Sequence, residues 1–282
     1  MSPAPTPPLH SEQINVSFPK EHVLLVTLNR PKSLNALTPQ MTEDLRVLLN
    51  WFEEEPSLWV VIITGAGRAF CAGADLKAWN ADEESGKPQE SDSVLANVNG
   101  FASISRRESK KPFIAALNGS SFGGGTELLL NCDLVVASKE AVIGLPEVKR
   151  GVIAIAGGIP RLARTAGHQL ASEMLLLGNP VTADDARNRF GFVNFVVPPS
   201  DVLPTAIAVA SQIIANSPDS VQSTKRALLL SAMHSNSETV AVHVRAPETL
   251  GTFQGDNIKE GLKAFNEKRK PVWKNPGTKT KL

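Results

Sequence analysis

Asn118-Gly-Ser-Ser-Phe-Gly-Gly-Gly-Thr-Glu127 is the stretch on which the reading of this chain turns. An apolar run at 112–117 feeds into it, and Leu128, Leu129 and Leu130 begin a helical pattern behind it. Three consecutive glycines at 123–125 let a backbone approach a ligand without side chains in the way, and they offer N–H groups at a helix start. Donors there, with Glu127 one turn into the helix, suit binding a developing negative charge and moving a proton beside it. Strand, glycine turn and helix in that order predict a catalytic site on an α/β scaffold.

The neighbouring segments extend the pattern. Residues 22–29 read as a strand ended by Arg30-Pro31. Thr38-Pro39 reads as an N-cap with proline at the first helical position, and Met41, Leu45, Leu48, Leu49 and Phe52 keep helical spacing until Pro56. Residues 59–64 form a wholly apolar, β-branched run, as strands buried on both faces do. Further strands are expected at 113–117, 134–137, 142–144 and 192–197, with short helices at 127–131, 171–177 and 183–189. After Pro198-Pro199-Ser200 the pattern becomes helical only, over 203–250 and 258–269. The expected organisation is a disordered lead-in at 1–13, an α/β core at 14–200 and a helical region at 201–282. Residues 80–93 (NADEESGKPQESDS, acidic and turn-rich) read as an exposed loop.

Bulk properties exclude several classes. Hydrophobic residues make up 42% of the 282 and charged residues 20%, an ordinary globular balance. No window approaches 18 uninterrupted apolar residues, so a membrane span is not expected. Cys71 and Cys132 are 61 residues apart and the five His residues are scattered, so neither a disulfide framework nor a metal site is expected. The net charge of +1 hides a +6 stretch at 259–282, read either as a solvated helix end or as a phosphate-binding tail.

Two other motifs compete with the catalytic reading. Gly65-Ala-Gly67 follows a strand, but Phe70 holds the third glycine position of a dinucleotide fingerprint. Gly119-Ser-Ser-Phe-Gly123 matches a nucleophile elbow, which would make Ser121 a hydrolase nucleophile; His168, His234 and His243 all fall in or beside helical segments, and none is marked as its base. Two further segments carry small residues or a carboxylate after a strand: Arg68-Ala-Phe-Cys-Ala-Gly-Ala-Asp-Leu-Lys77 and Leu145-Pro-Glu147.

Together these segments resemble the crotonase (enoyl-CoA hydratase/isomerase) superfamily. The resemblance covers about residues 14–272, through Asn29-Arg-Pro-Lys-Ser-Leu-Asn-Ala-Leu37, the 68–77 and 118–128 segments, Cys132-Asp133, Leu145-Pro-Glu147, Ala156-Gly-Gly158 with Arg161-Leu162, and Ala264-Phe-Asn-Glu-Lys-Arg-Lys270. It implies a spiral of ββα turns with a C-terminal helical region that assembles trimers or hexamers. The implied oxyanion hole is the N–H groups of Ala74 and Gly124, and the implied acid/base pair is Glu127 and Glu147. Coenzyme A, as part of the substrate and not as a separate cofactor, would lie along Lys32, Arg68, Ala72, Asp75, Leu76 and Lys77. Phe265 and Lys268 would reach it from a neighbouring subunit.

Glutamate at both positions favours hydration of a 2-enoyl-CoA, with an isomerase or another acyl-CoA lyase as the alternative. Ile155 and Ser121 depart from the family's pattern and are expected to reshape the acyl pocket. An RNA-binding role is a further alternative for the basic tail, and nucleic acid is not the favoured partner. Thr280-Lys281-Leu282 approximates a peroxisomal address, ahead of a cytoplasmic or mitochondrial location.

Overall fold

The computed structural model describes residues 4–75 and 97–277. Leu76, Lys77, the 80–93 loop and the C-terminal tripeptide lie outside the described residues. Two sheets share the core. The larger runs β1-β2-β3-β5-β7-β10, from strands β1 (Ile14–Lys20), β2 (Val23–Leu28), β3 (Val60–Gly65), β5 (Phe113–Leu117), β7 (Leu134–Ser138) and β10 (Phe195–Val197). Only its β1–β2 pair is antiparallel. The smaller sheet, β4-β6-β8-β9, uses the short strands β4 (Ala69–Cys71), β6 (Ser120–Phe122), β8 (Val142–Gly144) and β9 (Val181–Thr182).

Chain order explains the shape. After β3, β5 and β7 in the large sheet, the chain turns into β4, β6 and β8 of the small one. Repetition of that step gives a spiral, and each turn between the two sheets delivers a loop to the same side.

The apolar strands alternate between two cores. Leu24, Val26, Val61, Ile63, Ala115 and Leu117 face a cluster closed by helix α1 (Pro39–Glu54), whose Met41, Leu45, Leu48, Leu49 and Phe52 are fully buried. Val23, Leu25, Val60, Ile62, Ile114 and Ala116 face the opposite cluster. Period-two alternation with both faces covered is why these runs are apolar throughout. Thr38 caps α1 as its sequence predicts, its Oγ1 accepting the Met41 N–H at 3.1 Å.

Helices α2 (Gly124–Leu129), α3 (Gly158–Ala166), α4 (His168–Leu177) and α5 (Ala183–Asn188) follow strands of the spiral. Beyond them come α6 (Val202–Ile214), α7 (Pro218–Ser231), α8 (Asn236–His243), α9 (Pro247–Gln254) and α10 (Asp256–Asn266). The expected division near residue 200 does not coincide with a structural break, because α6 supplies Val202, Ala206, Val209 and Ala210 to the second core cluster. At the other end, the segment read as a lead-in is tied down, with the N–H and hydroxyl of Ser11 both donating to Asp44 Oδ2. Strand β10 starts at Phe195 and not at 192, and Asn194 instead bonds the backbone of Val135 through its side chain.

Candidate active site

The first small-residue turn is held against the segment at 34–37. Leu37 N–H donates to Gly73 O at 2.9 Å, Asp75 N–H donates to Leu37 O at 3.2 Å, and Ala74 forms an isolated parallel bridge with Leu37. Successive N–H groups in extended chain point to opposite sides, so this pairing leaves the Ala74 N–H on the side away from Leu37. Asn35 and Asn118 brace the loop between β3 and β4 that leads to this turn. Asn35 Nδ2 donates to Ala66 O and Ala69 O, and Asn118 accepts the Gly65 N–H while donating to Gly67 O.

The second turn meets the first at its glycines. A Cβ placed on Gly73, whose φ is +92°, would lie 2.9 Å from Phe122 O and 3.2 Å from Gly124 N, so no larger residue fits there. Gly124 is the first residue of α2, where helix N–H groups have no intrahelical acceptor and carry the positive end of the dipole. The Phe101 ring lies over it, with a Cβ on Gly124 only 2.6 Å from Phe101 Cε1. Under the helix, buried Thr126 donates from Oγ1 toward Ser121 O and Gly144 O, at 2.9 and 3.0 Å. The structure thus brings the Ala74 and Gly124 segments side by side.

Both predicted carboxylates border this junction. Glu127 lies in the first turn of α2 and is 4% exposed. Its Oε1 accepts the Gly158 N–H at 2.9 Å, the first amide of α3, so a second helix N-terminus faces it. Glu147 opens a 3-10 turn, Glu147–Arg150, after β8. Its Oε1 would be 3.4 Å from a Cβ on Gly123, which sets it at the N-cap of α2. A reactive thiol is not available beside them, since burial pushes Cys71 up to about 12 and keeps it protonated.

The residues expected along coenzyme A divide. Lys32 and Arg68 are exposed on the loops adjoining Ala74, while half-buried Ala72 spends its N–H on Leu34 O at 3.0 Å. The Asp75 carboxylate pairs with Arg30, at 3.1 Å from Nη1, and the same nitrogen donates to Ala36 O at 2.6 Å. That pairing gives Asp75 a bracing role which the sequence reading did not foresee. Phe265, 84% exposed, and Lys268 lie at the end of α10 in the helical region.

Other expectations are corrected. Ser121 is fully buried within β6, with its hydroxyl 3.4 Å from Thr126 Oγ1, so it is neither an elbow nucleophile nor a lining residue of an acyl pocket. No histidine serves it: His243 bonds Ser223, and His234 pairs with Glu238. Ile155 is 38% exposed and free to line a pocket. In the basic stretch, Arg269 pairs with Glu260 and Glu267, and Lys274 with Asp256, as a solvated helix end would. Gly158 was legible only as part of a motif. Nothing in its spacing announced the amide that grips Glu127.

The chain is similar to known proteins in sequence and in fold. The sequence profile of the enoyl-CoA hydratase/isomerase family matches residues 19–276. A mevalonyl-coenzyme A hydratase of Beauveria bassiana is 45% identical, covering 93% of this chain and 94% of the relative. One from Aspergillus fumigatus is 43% identical, covering 92% and 94%. The crystal structure of an enoyl-CoA hydratase from Mycobacterium tuberculosis superposes with a TM-score of 0.84 at 34% identity, covering 94% of this chain and all of that one. On this match of sequence and fold, the chain belongs to the enoyl-CoA hydratase/isomerase family, within the crotonase superfamily.

Proposed function

We propose that the chain hydrates the 2,3 double bond of a 2-enoyl-CoA, and that the hydrated product is mevalonyl-CoA. The observation that carries the reaction is the pinning of Glu127 by the Gly158 amide while Glu147 borders the same glycine turn. The acyl assignment rests on the two mevalonyl-CoA hydratases at 45% and 43% identity.

The thioester oxygen sits between the Ala74 and Gly124 N–H groups, which stabilise the enolate-like charge that develops on it. Removing one such donor costs about 2.7–4 kcal/mol in other enzymes. Glu127, acting as a carboxylate, takes a proton from water as the water oxygen bonds C3. Glu147 gives a proton to C2. One water is consumed, and the carboxylates exchange protons with solvent to reset. For mevalonyl-CoA, C3 bears a methyl group, so hydration makes a tertiary alcohol and the reverse reaction is a dehydration.

Exposed apolar residues on the helical region, Val240, Phe253, Leu262 and Phe265 among them, support assembly into trimers or hexamers. Sedimentation tests that assembly. The enzyme reading is tested by hydration assays across enoyl-CoAs differing in length, branching and a distal hydroxyl. A clear preference for the 3-methyl, 5-hydroxy substrate supports the acyl assignment, and a preference for crotonyl-CoA removes it.

A further inference from the structure

Residues 100–107 form a loop beside the glycine junction, and its backbone is strained. Gly100, Ala102 and Ser103 have φ of +71°, +58° and +56°, two of them residues with a Cβ. For residues with a Cβ such conformations are disfavoured and persist where surrounding contacts fix them. One buried side chain in the loop joins both halves of the site. Ser105 is fully buried, and its Oγ accepts the Phe101 N–H at 2.8 Å while donating to Ala156 O at 2.6 Å.

Those two bonds reach different machinery. Phe101 lies against Gly124, at the start of α2. Ala156 lies two residues before Gly158, whose amide holds Glu127. Ser105 also grips α3 from within, because its carbonyl accepts from Arg161 Nε at 3.3 Å. Its hydroxyl therefore holds the residue that leads into α3, and its carbonyl holds a residue inside the helix.

We propose that Ser105 is a positioning residue for the site, fixing the Gly158 amide against Glu127 and Phe101 against Gly124 through its single hydroxyl. It touches no reacting atom. Its effect on turnover rests on the hydratase reading, whereas its effect on the Gly158 amide does not. Ser103 provides the comparison. It is equally buried in the same loop, but among the described residues its hydroxyl accepts from Arg107 Nη2 and is linked to neither half of the site.

The test compares Ser105→Ala with Ser103→Ala in the full chain, by amide hydrogen exchange over residues 156–160 and by steady-state hydration. For Ser105→Ala, exchange over 156–160 should quicken, and kcat should fall about tenfold to a hundredfold with KM within about twofold. Ser103→Ala should lower the unfolding temperature without changing exchange at 156–160 or kcat. Ser105→Cys keeps a weak donor and should fall between wild type and Ser105→Ala, which guards against an alanine variant that does not fold. Wild-type exchange and kcat in Ser105→Ala would overturn the proposal, as would the same losses in both alanine variants. A wild-type protein that hydrates no enoyl-CoA would remove the hydratase reading and leave the exchange comparison standing.

Discussion

The Gly158 amide donates to Glu127 Oε1 at 2.9 Å, so the first N–H of one helix closes on a carboxylate in the first turn of another. Space enforces the contact. A Cβ on Gly158 would lie 2.8 Å from Glu127 Cγ. Alanine there should push the carboxylate aside and lower kcat by about tenfold or more, since small displacements at a reacting centre are costly. Steady-state kinetics of Gly158→Ala checks this, and unchanged kcat would mean that the amide does not set the carboxylate's position.

Neutralising either carboxylate should be more severe. Glu127→Gln and Glu147→Gln keep shape but cannot exchange the proton, and each should lower kcat by roughly 10²–10⁴. The double variant should fall well short of the product of the two losses, as groups acting on one water do. Near-normal hydration by both single variants would contradict the assigned chemistry.

Arg30 links Ala36 O to Asp75 and so steadies the turn that carries the Ala74 N–H. The pair is partly exposed, at 23% and 20%, so Arg30→Ala should cost at most about 1 kcal/mol of stability. Its larger effect should be on kcat. Arg30→Lys should rescue little, because a strongly hydrated ammonium on a flexible stem does not reproduce the planar Nη1 group that bonds both acceptors. Equal kcat in wild type and Arg30→Ala, with only KM raised, would return Asp75 to a role in coenzyme A binding.

Lys111 offers a test of the core through pH. Burial pushes its ammonium down to about 8, although Nζ donates to Phe52 O and Glu55 O at the end of α1. Below pH 8 both folded and unfolded chains carry the proton, and the folded state bears the full cost of burying it. Between pH 8 and the ordinary 10.5 only the unfolded chain holds it, so stability rises with pH. The unfolding free energy of wild type minus Lys111→Met should therefore increase across that window. Urea titrations at several pH values measure it, and a flat or falling difference would contradict the assignment.

How much of this was legible depends on what each feature leaves in the sequence. Helix α1 was clear because Thr38-Pro39 marks its start and five buried residues repeat at helical spacing. Strands β3 and β5 were clear because burial on both faces leaves unbroken apolar runs. Among the three-residue strands β8 was anticipated, whereas β4 and β6 were not, because they lie inside the segments whose small residues read as turns. Helix α3 was not anticipated, because it is only nine residues long and Pro160 in its first turn reads as a breaker, although Ile159, Leu162, Ala163 and Ala166 keep helical spacing. The glycine triplet and both glutamates stood out by type and order. Their supports did not, because Arg30, Asn35 and Ser105 act through partners far along the chain, and such pairings have no local signature. Ser121 misled for the converse reason: the elbow motif fixes residue types, and only the fold reveals that this hydroxyl faces Thr126.

The most direct test of the whole account is to mix the purified protein with the 3-methyl, 5-hydroxy 2-enoyl-CoA and follow loss of the conjugated thioester absorbance alongside formation of mevalonyl-CoA by mass. The account predicts gain of one water, rapid with wild type and nearly abolished in Glu127→Gln. Release of free coenzyme A without hydration, or equal rates for wild type and Glu127→Gln, would contradict it.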